Sequence, residues 1–225
     1  MATKVKICGI TNFEDALAAV NAGADALGFV FVPASPRALA FEDARRIIRR
    51  IPLYVTRIGV FVNPAEDTVN RALEQTGIDT LQFHGNETPE FCAQFSPLKI
   101  IKAFRIAGPE TLNDLPFYKT NAWLLDSFVP GKPGGTGATF SWPLAVQAKE
   151  HGVPILLAGG LTARNVARAI SEVRPFGVDV SSGVESSPGK KDHGLLGAFI
   201  AAAKGFDATR AEAAPARTSR TRPGR

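Results

Sequence analysis

The chain has 225 residues, of which 45% are hydrophobic and 21% charged, with a formal net charge of +5. That length buries a sizeable core, and those fractions belong to a globular protein and exclude a disordered chain. Five arginines against Asp207 and Glu212 place +3 of the charge within residues 207–225, leaving +2 on the rest, so the net charge is no argument for a nucleic-acid partner.

In chain order, short apolar runs alternate with segments of helical period. Val5 to Cys8 reads as a strand, followed by a helix with Phe13, Ala16, Leu17 and Val20 on one face, Thr11 or Asn12 as its N-cap and Gly23 after its end. Strands are expected at Ala26 to Phe31 and Val55 to Val62, with a helix over Phe41 to Ile51 between them. Asn63-Pro64 then reads as a cap followed by proline at the first helical position. Thr80 to Phe83 precedes a helix from about Thr88, and Lys99 to Phe104 a short helix near Glu110 to Leu115. Ala122 to Asp126 is followed, after a Gly- and Pro-rich loop from Val129 to Thr139, by a helix over about Trp142 to His151. Pro154 to Leu157 with a helix from Ala163, and Val178 to Val180 with a helix from about Asp192 to Ala203, complete eight strand–helix units.

Such alternation implies parallel strands joined by right-handed crossovers, and eight units favour a single (β/α)8 TIM barrel over an open doubly wound sheet. Cys8-Gly9-Ile10-Thr11-Asn12 also lacks a dinucleotide fingerprint. The barrel is expected over residues 1–206. Residues 207–225, rich in Ala, Pro, Thr and Ser without a large apolar residue, read as a disordered basic tail. Two cysteines, Cys8 and Cys92, give no disulfide framework, and the scattered His84, His151 and His193 have no zinc-site spacing. No apolar run approaches the roughly 20 residues of a membrane span, and the start lacks a signal-peptide core, so a cytoplasmic location is expected.

In this fold the active site lies at the C-terminal strand ends, which directs attention to Cys8, His84 and Asp126. Cys8 could act as base or nucleophile only as thiolate, and so needs a cation or a helix N-terminus nearby. Lys6 shares its facing but sits one layer lower and does not obviously help; the bland alternative for Cys8 is a small buried hydrophobe. Cys92 falls inside a helix pattern. Asp126 ends an apolar strand, where partial desolvation suits a general acid; the bland alternative is a cap for the following loop. His84 could line the site or bind loop backbone. Three glycine clusters at consecutive strand ends, Gly134-Gly135-Thr136-Gly137, Ala158-Gly159-Gly160-Leu161 and Ser181-Ser182-Gly183, suit backbone binding of a phosphate. Arg37, in a loop held by Pro33 and Pro36, is either a solvated charge or a fork for a substrate carboxylate.

Together these motifs, from Lys6-Ile7-Cys8-Gly9-Ile10-Thr11 through Ser35-Pro36-Arg37, Gln82-Phe83-His84-Gly85 and Leu125-Asp126-Ser127 to Asp179-Val180-Ser181-Ser182-Gly183-Val184-Glu185, resemble the phosphoribosylanthranilate isomerase family of tryptophan biosynthesis. The likeness runs from about Lys4 to Lys204, with Phe83 where the family often has Leu. It implies an Amadori rearrangement of N-(5-phosphoribosyl)anthranilate without cofactor or metal, with Asp126 as acid and Cys8 as base. It further implies Arg37 on the anthranilate carboxylate, and Gly159, Gly160, Ser181, Ser182 and Gly183 on the phosphate, with His84 and Gly135 as further substrate-binding residues. The expected partner is one small phosphorylated molecule, bound by a monomer or homodimer. The related isomerase of histidine biosynthesis has an aspartate in place of Cys8; a barrel that binds sugar phosphate without catalysis is the alternative of a different class.

Overall fold

Eight parallel strands close into a barrel in sequence order in this computed structural model, which describes residues 2–127 and 141–212, with side chains as far as Gly205. They are β1 (Lys4–Cys8), β2 (Ala26–Val30), β3 (Thr56–Phe61), β4 (Thr80–Phe83), β5 (Lys99–Ile106), β6 (Ala122–Ser127), β7 (Ile155–Leu157) and β8 (Gly177–Val180). The ring shuts where β1 pairs with β8, with Lys6 opposite Asp179 and Ile7 opposite Val180. Outside it lie α1 (Phe13–Ala22), α2 (Phe41–Ile48), α3 (Glu66–Thr76), α4 (Pro89–Ala93), α5 (Trp142–Ala148), α6 (Val166–Val173) and α7 (His193–Glu212). A small antiparallel hairpin, β9 (Glu185–Ser187) and β10 (Lys190–Lys191), stands on the rim after β8.

Two apolar layers follow from strand alternation. One set of side chains, including Leu27, Phe29, Leu81, Phe83 and Leu125, points outward and packs under the helices; the other, including Ile58, Ile101, Leu124 and Leu156, fills the barrel. Phe41, Phe31, Phe61, Phe83, Phe91 and Phe95 form a continuous string of edge-on and tilted ring contacts at 5.0–6.2 Å under α2 to α4. Phe83 is thus a packing residue, as its place on β4 implied.

Local sequence chemistry accounts for most element ends. Asn12, of the two expected caps, accepts the Asp15 N–H at the start of α1, and Gly23 closes that helix in the left-handed conformation. Two local expectations are corrected. Asn63 does not cap α3, which starts from Ala65; instead Asn63 adopts φ 47°, donates its N–H to Glu87 Oε1 and accepts the Asn86 N–H. The short helix expected near Glu110 to Leu115 is a pair of 3-10 turns, Pro109–Asn113 and Leu115–Phe117, because Pro116 lacks the N–H that would carry an α-helix through. At the C-terminus α7 runs past Phe206 to Glu212, into the segment expected as tail; residues 213–225 lie outside those described, as do the Val129 to Thr139 loop and Gly135 within it. Among the described residues no helix is long and apolar enough to cross a membrane.

Candidate active site

At the C-terminal mouth a cavity of about 360 Å³ is walled by Val30, Val32, Val60 and Val62 on one side and by the loops after β7 and β8 on the other. Arg37, His84, Asp126, Gly159, Gly160, Ser181, Ser182 and Gly183, all singled out in the sequence, line one space, and Arg105 joins them there. Cys8 lies beneath it. At 9% exposure it packs in the inner core with Val30, Val60 and Ala158, which themselves form the cavity's floor and wall.

Lys6 lies beside Cys8, contrary to the expectation that a residue one layer down gives it no help. A Cβ at position 28 would stand 2.9 Å from Cys8 Sγ and 3.2 Å from Lys6 Nζ, so the bare backbone of Gly28 leaves one shared space for both groups. Lys6 Nζ donates to Asp179 Oδ1 at 2.8 Å across the β1–β8 closure, and the pair is buried. Burial pushes the Cys8 thiol above its ordinary pKa, while Lys6 and, more weakly, Lys191 oppose that shift. For Lys6, burial acts to lower the pKa, but Asp179 and Cys8 outweigh it and leave the ammonium more firmly protonated than usual.

Asp126, on β6, is buried and accepts the Ser127 N–H through Oδ1 at 2.8 Å, so the carboxylate also caps its own loop. Its other oxygen faces His84 Nε2 at 3.3 Å without a hydrogen bond. Gln82, two residues earlier on β4, donates from Nε2 to His84 Nδ1 at 3.0 Å, which fixes the ring and leaves its hydrogen on Nε2, facing Asp126. His84 therefore does more than bind loop backbone.

The β7 and β8 loops are shaped to accept an anion. Gly159 has φ 81°, and a Cβ there would meet the Ser127 N at 2.6 Å; at Gly183 a Cβ would run into the Leu161 carbonyl oxygen. The β7 loop can therefore close on the end of β6, and the β8 loop on the β7 loop, only because these positions are glycine. The N–H groups of Gly160, Ser182 and Gly183 have no acceptor among the described residues, and the buried Ser181 Oγ is likewise unpartnered.

Arg37 reaches the cavity with its fork already engaged. Nε donates to Glu185 Oε1 at 2.8 Å and Nη2 to Glu185 Oε2 at 2.6 Å, while Glu185 also takes Lys191 Nζ at 2.8 Å. Burial alone would raise the Glu185 carboxyl, but its hydrogen bonds from Arg37 and Lys191 hold it below the usual range. Lys191 further donates to the Cys8 carbonyl oxygen at 2.6 Å, tying the hairpin to the end of β1. Sequence reasoning missed Glu185, Lys191 and Arg105 as site residues. Glu185 stood in a motif that drew attention for its glycines, and Lys191 is brought in by the hairpin, which no local pattern announces.

Cys92 is buried in α4 with its thiol pushed up to about 11 by burial, and stands apart from the mouth. Among the described residues no group of three or more His, Cys, Asp or Glu is placed to hold a metal ion.

Fold and site together define an enzymatic (β/α)8 barrel, with acid–base groups and an anion-ready backbone at its C-terminal mouth. The family described as N-(5'-phosphoribosyl)anthranilate (PRA) isomerase matches residues 5–202. An N-(5'-phosphoribosyl)anthranilate isomerase from Geobacter sp. (strain M21) is 54% identical over 202 residues, covering 90% of this chain and 98% of that protein. The crystal structure of phosphoribosyl anthranilate isomerase from Thermotoga maritima superposes with a TM-score of 0.86 at 43% identity, covering 90% of this chain and 99% of that one. Another such isomerase, in complex with reduced 1-(o-carboxyphenylamino)-1-deoxyribulose 5-phosphate, gives a TM-score of 0.82 at 42% identity, with 90% and 99% covered. The chain belongs to the N-(5'-phosphoribosyl)anthranilate isomerase family, enzymes of tryptophan biosynthesis.

Proposed function

We propose that this barrel converts N-(5'-phosphoribosyl)anthranilate to 1-(2-carboxyphenylamino)-1-deoxyribulose 5-phosphate, with Asp126 as general acid and Cys8 as general base. The observation that carries the reading is the placement of these two groups, on β6 and β1, about one cavity whose β7–β8 wall offers unpaired backbone N–H groups. Phosphate held there by Gly159, Gly160, Ser181, Ser182 and Gly183 leaves the ribose between acid and base. Asp126 gives its proton to the ring oxygen; the ring C1–O bond breaks and the anthranilate nitrogen becomes part of a protonated Schiff base. Cys8, as thiolate, takes the proton from C2, giving an enolamine, and return of a proton to C1 with loss of the O2 proton leaves the ketone. Substrate and product are isomers, so no redox partner is needed.

The thiolate arises where cations are gathered. Lys6 and Lys191 flank Cys8, and the cationic Schiff base adds charge just when the base acts. His84, braced by Gln82, faces the Asp126 carboxyl with Nε2, while the Ser127 N–H holds that carboxyl's other oxygen. Arg37, locked on Glu185, presents its remaining N–H groups to the anthranilate carboxylate. The test is loss of anthranilate fluorescence on phosphoribosylanthranilate. Wild type should turn over, Cys8→Ser should lose kcat by orders of magnitude with KM little changed, and a Cys8→Ser enzyme as fast as wild type would remove the thiol from the mechanism. Asp126→Asn should be similarly impaired, and full activity would place the proton donor elsewhere.

A further inference from the structure

Arg105 is unmatched in this site. It projects from β5 into the cavity, next to Asp126 in the β5–β6 register. Its Nε is fully buried without a hydrogen-bond partner, and its guanidinium forms no ion pair with any described residue. Residues 128–140 contain no Asp or Glu. Arg105 as a whole is half-buried, but a desolvated guanidinium N–H without an acceptor is costly, and an arginine side chain stays charged. The other cavity arginine is differently placed. Arg37 already has its charge balanced by Glu185 in a two-bond fork, and its side chain lies along the β1–β8 rim, where a Cβ on Gly9 would meet both Arg37 Cδ at 2.5 Å and Ser181 Oγ at 3.1 Å.

We infer that Arg105 is a substrate-binding residue that pairs with the anthranilate carboxylate and sets the requirement for that group. The inference rests on the functional reading above and deepens it. With phosphate against the β7 and β8 loops and the sugar between Cys8 and Asp126, the aromatic ring extends toward the opposite wall, over Val30, Val32, Val60 and Val62. That wall is apolar and suits the ring, but it has no group for a carboxylate. Arg105 stands at its β5 end and Arg37 at its β2 end, so an ortho carboxylate meets one arginine already neutralised and one that lacks an anion. The carboxylate supplies the missing partner of Arg105, while the remaining N–H groups of Arg37 hold its other edge.

The test uses two forms of the stable reduced product analogue, one with the ring carboxylate and one without it. Binding is measured to wild type, Arg105→Gln and Arg105→Lys, alongside turnover of phosphoribosylanthranilate. A charge-assisted hydrogen bond supports an expectation that Arg105→Gln weakens the carboxylated analogue by about 10- to 100-fold and the decarboxylated one by less than about 2-fold. KM should rise with the first ratio while kcat changes much less, and Arg105→Lys should recover part of the loss. Equal weakening of both analogues, or none of either, would overturn the assignment. If Arg105→Gln fails to fold, comparison of the two analogues on wild type and on Arg105→Lys still decides, since lysine keeps the charge without the fork and must show a smaller preference for the carboxylated form than wild type; an unchanged preference would overturn the assignment. Absence of turnover by wild type would instead sink the isomerase reading, whereas turnover without a carboxylate-dependent loss sinks Arg105 alone.

Discussion

Gly28 decides how Cys8 and Lys6 meet. The gap over its backbone is filled by a thiol and an ammonium, so a methyl there must displace one of them. Gly28→Ala is therefore expected to lower kcat sharply while the protein still folds, as followed by near-UV circular dichroism and the fluorescence assay. Lys6→Met should raise the Cys8 thiol further by removing its nearest opposing charge. The thiolate fraction near neutral pH then falls, and the ascending limb of the pH–rate profile and of Cys8 alkylation moves to higher pH, which lowers the rate at a given pH on that limb by about tenfold. The same change strands Asp179, so a stability loss of about 3 kcal/mol accompanies it; an unmoved alkylation profile in the folded variant would show that Lys6 serves structure alone. Cys8, Asp126 and His84 were legible because strand period alone fixes which residues stand at the mouth. The help Lys6 gives was not, because it depends on the missing side chain of a neighbouring strand. A glycine inside Ala26-Leu27-Gly28-Phe29 was the available signal.

At the scale of elements, Asp25 joins three pieces of chain. Its carboxylate accepts the Val5 N–H at 2.9 Å and binds Lys4 at 3.0 Å and Lys204, from α7, at 3.1 Å, while its backbone carbonyl takes the Thr56 N–H. Burial acts to raise its pKa, but the Val5 N–H and the two ammonium groups outweigh it and hold the carboxyl below the ordinary carboxylate range. A depressed native pKa stabilises the fold above the unfolded value of about 4 and loses that contribution as pH falls through the native value. Asp25→Asn should thus cost about 1–2 kcal/mol near neutral pH in urea unfolding, a difference that shrinks in acid. The strands and most helices were readable because apolar period and caps such as Asn12 and Gly23 act within one element. The start of α3 was misread because Asn63 answers to Glu87 and Asn86, more than twenty residues away, and not to the helix that follows it.

Across the whole molecule, the phenylalanine string couples β3 and β4 to the helices outside them, well away from the cavity chemistry. Phe83→Leu should cost about 1 kcal/mol of stability, read as a shift in the urea midpoint, with kcat/KM unchanged; a large loss of activity would mean that outer packing sets the position of His84 on the same strand. Eight units were countable in the sequence, and closure followed from the count. What no count provides is the lacing of the rim. Thr11 donates to the Gly189 carbonyl oxygen, Gly189 lies against Pro36, and Arg37 and Lys191 converge on Glu185. The loops after β1 and β2 and the hairpin after β8 are thereby fastened into a collar around one half of the mouth. The valine wall of the cavity lies beside that collar, and a molecule seated with its phosphate on the β7 and β8 loops has its aromatic end on those valines. A compound lodged against them alone is then expected to compete with the ring and leave the phosphate seat free.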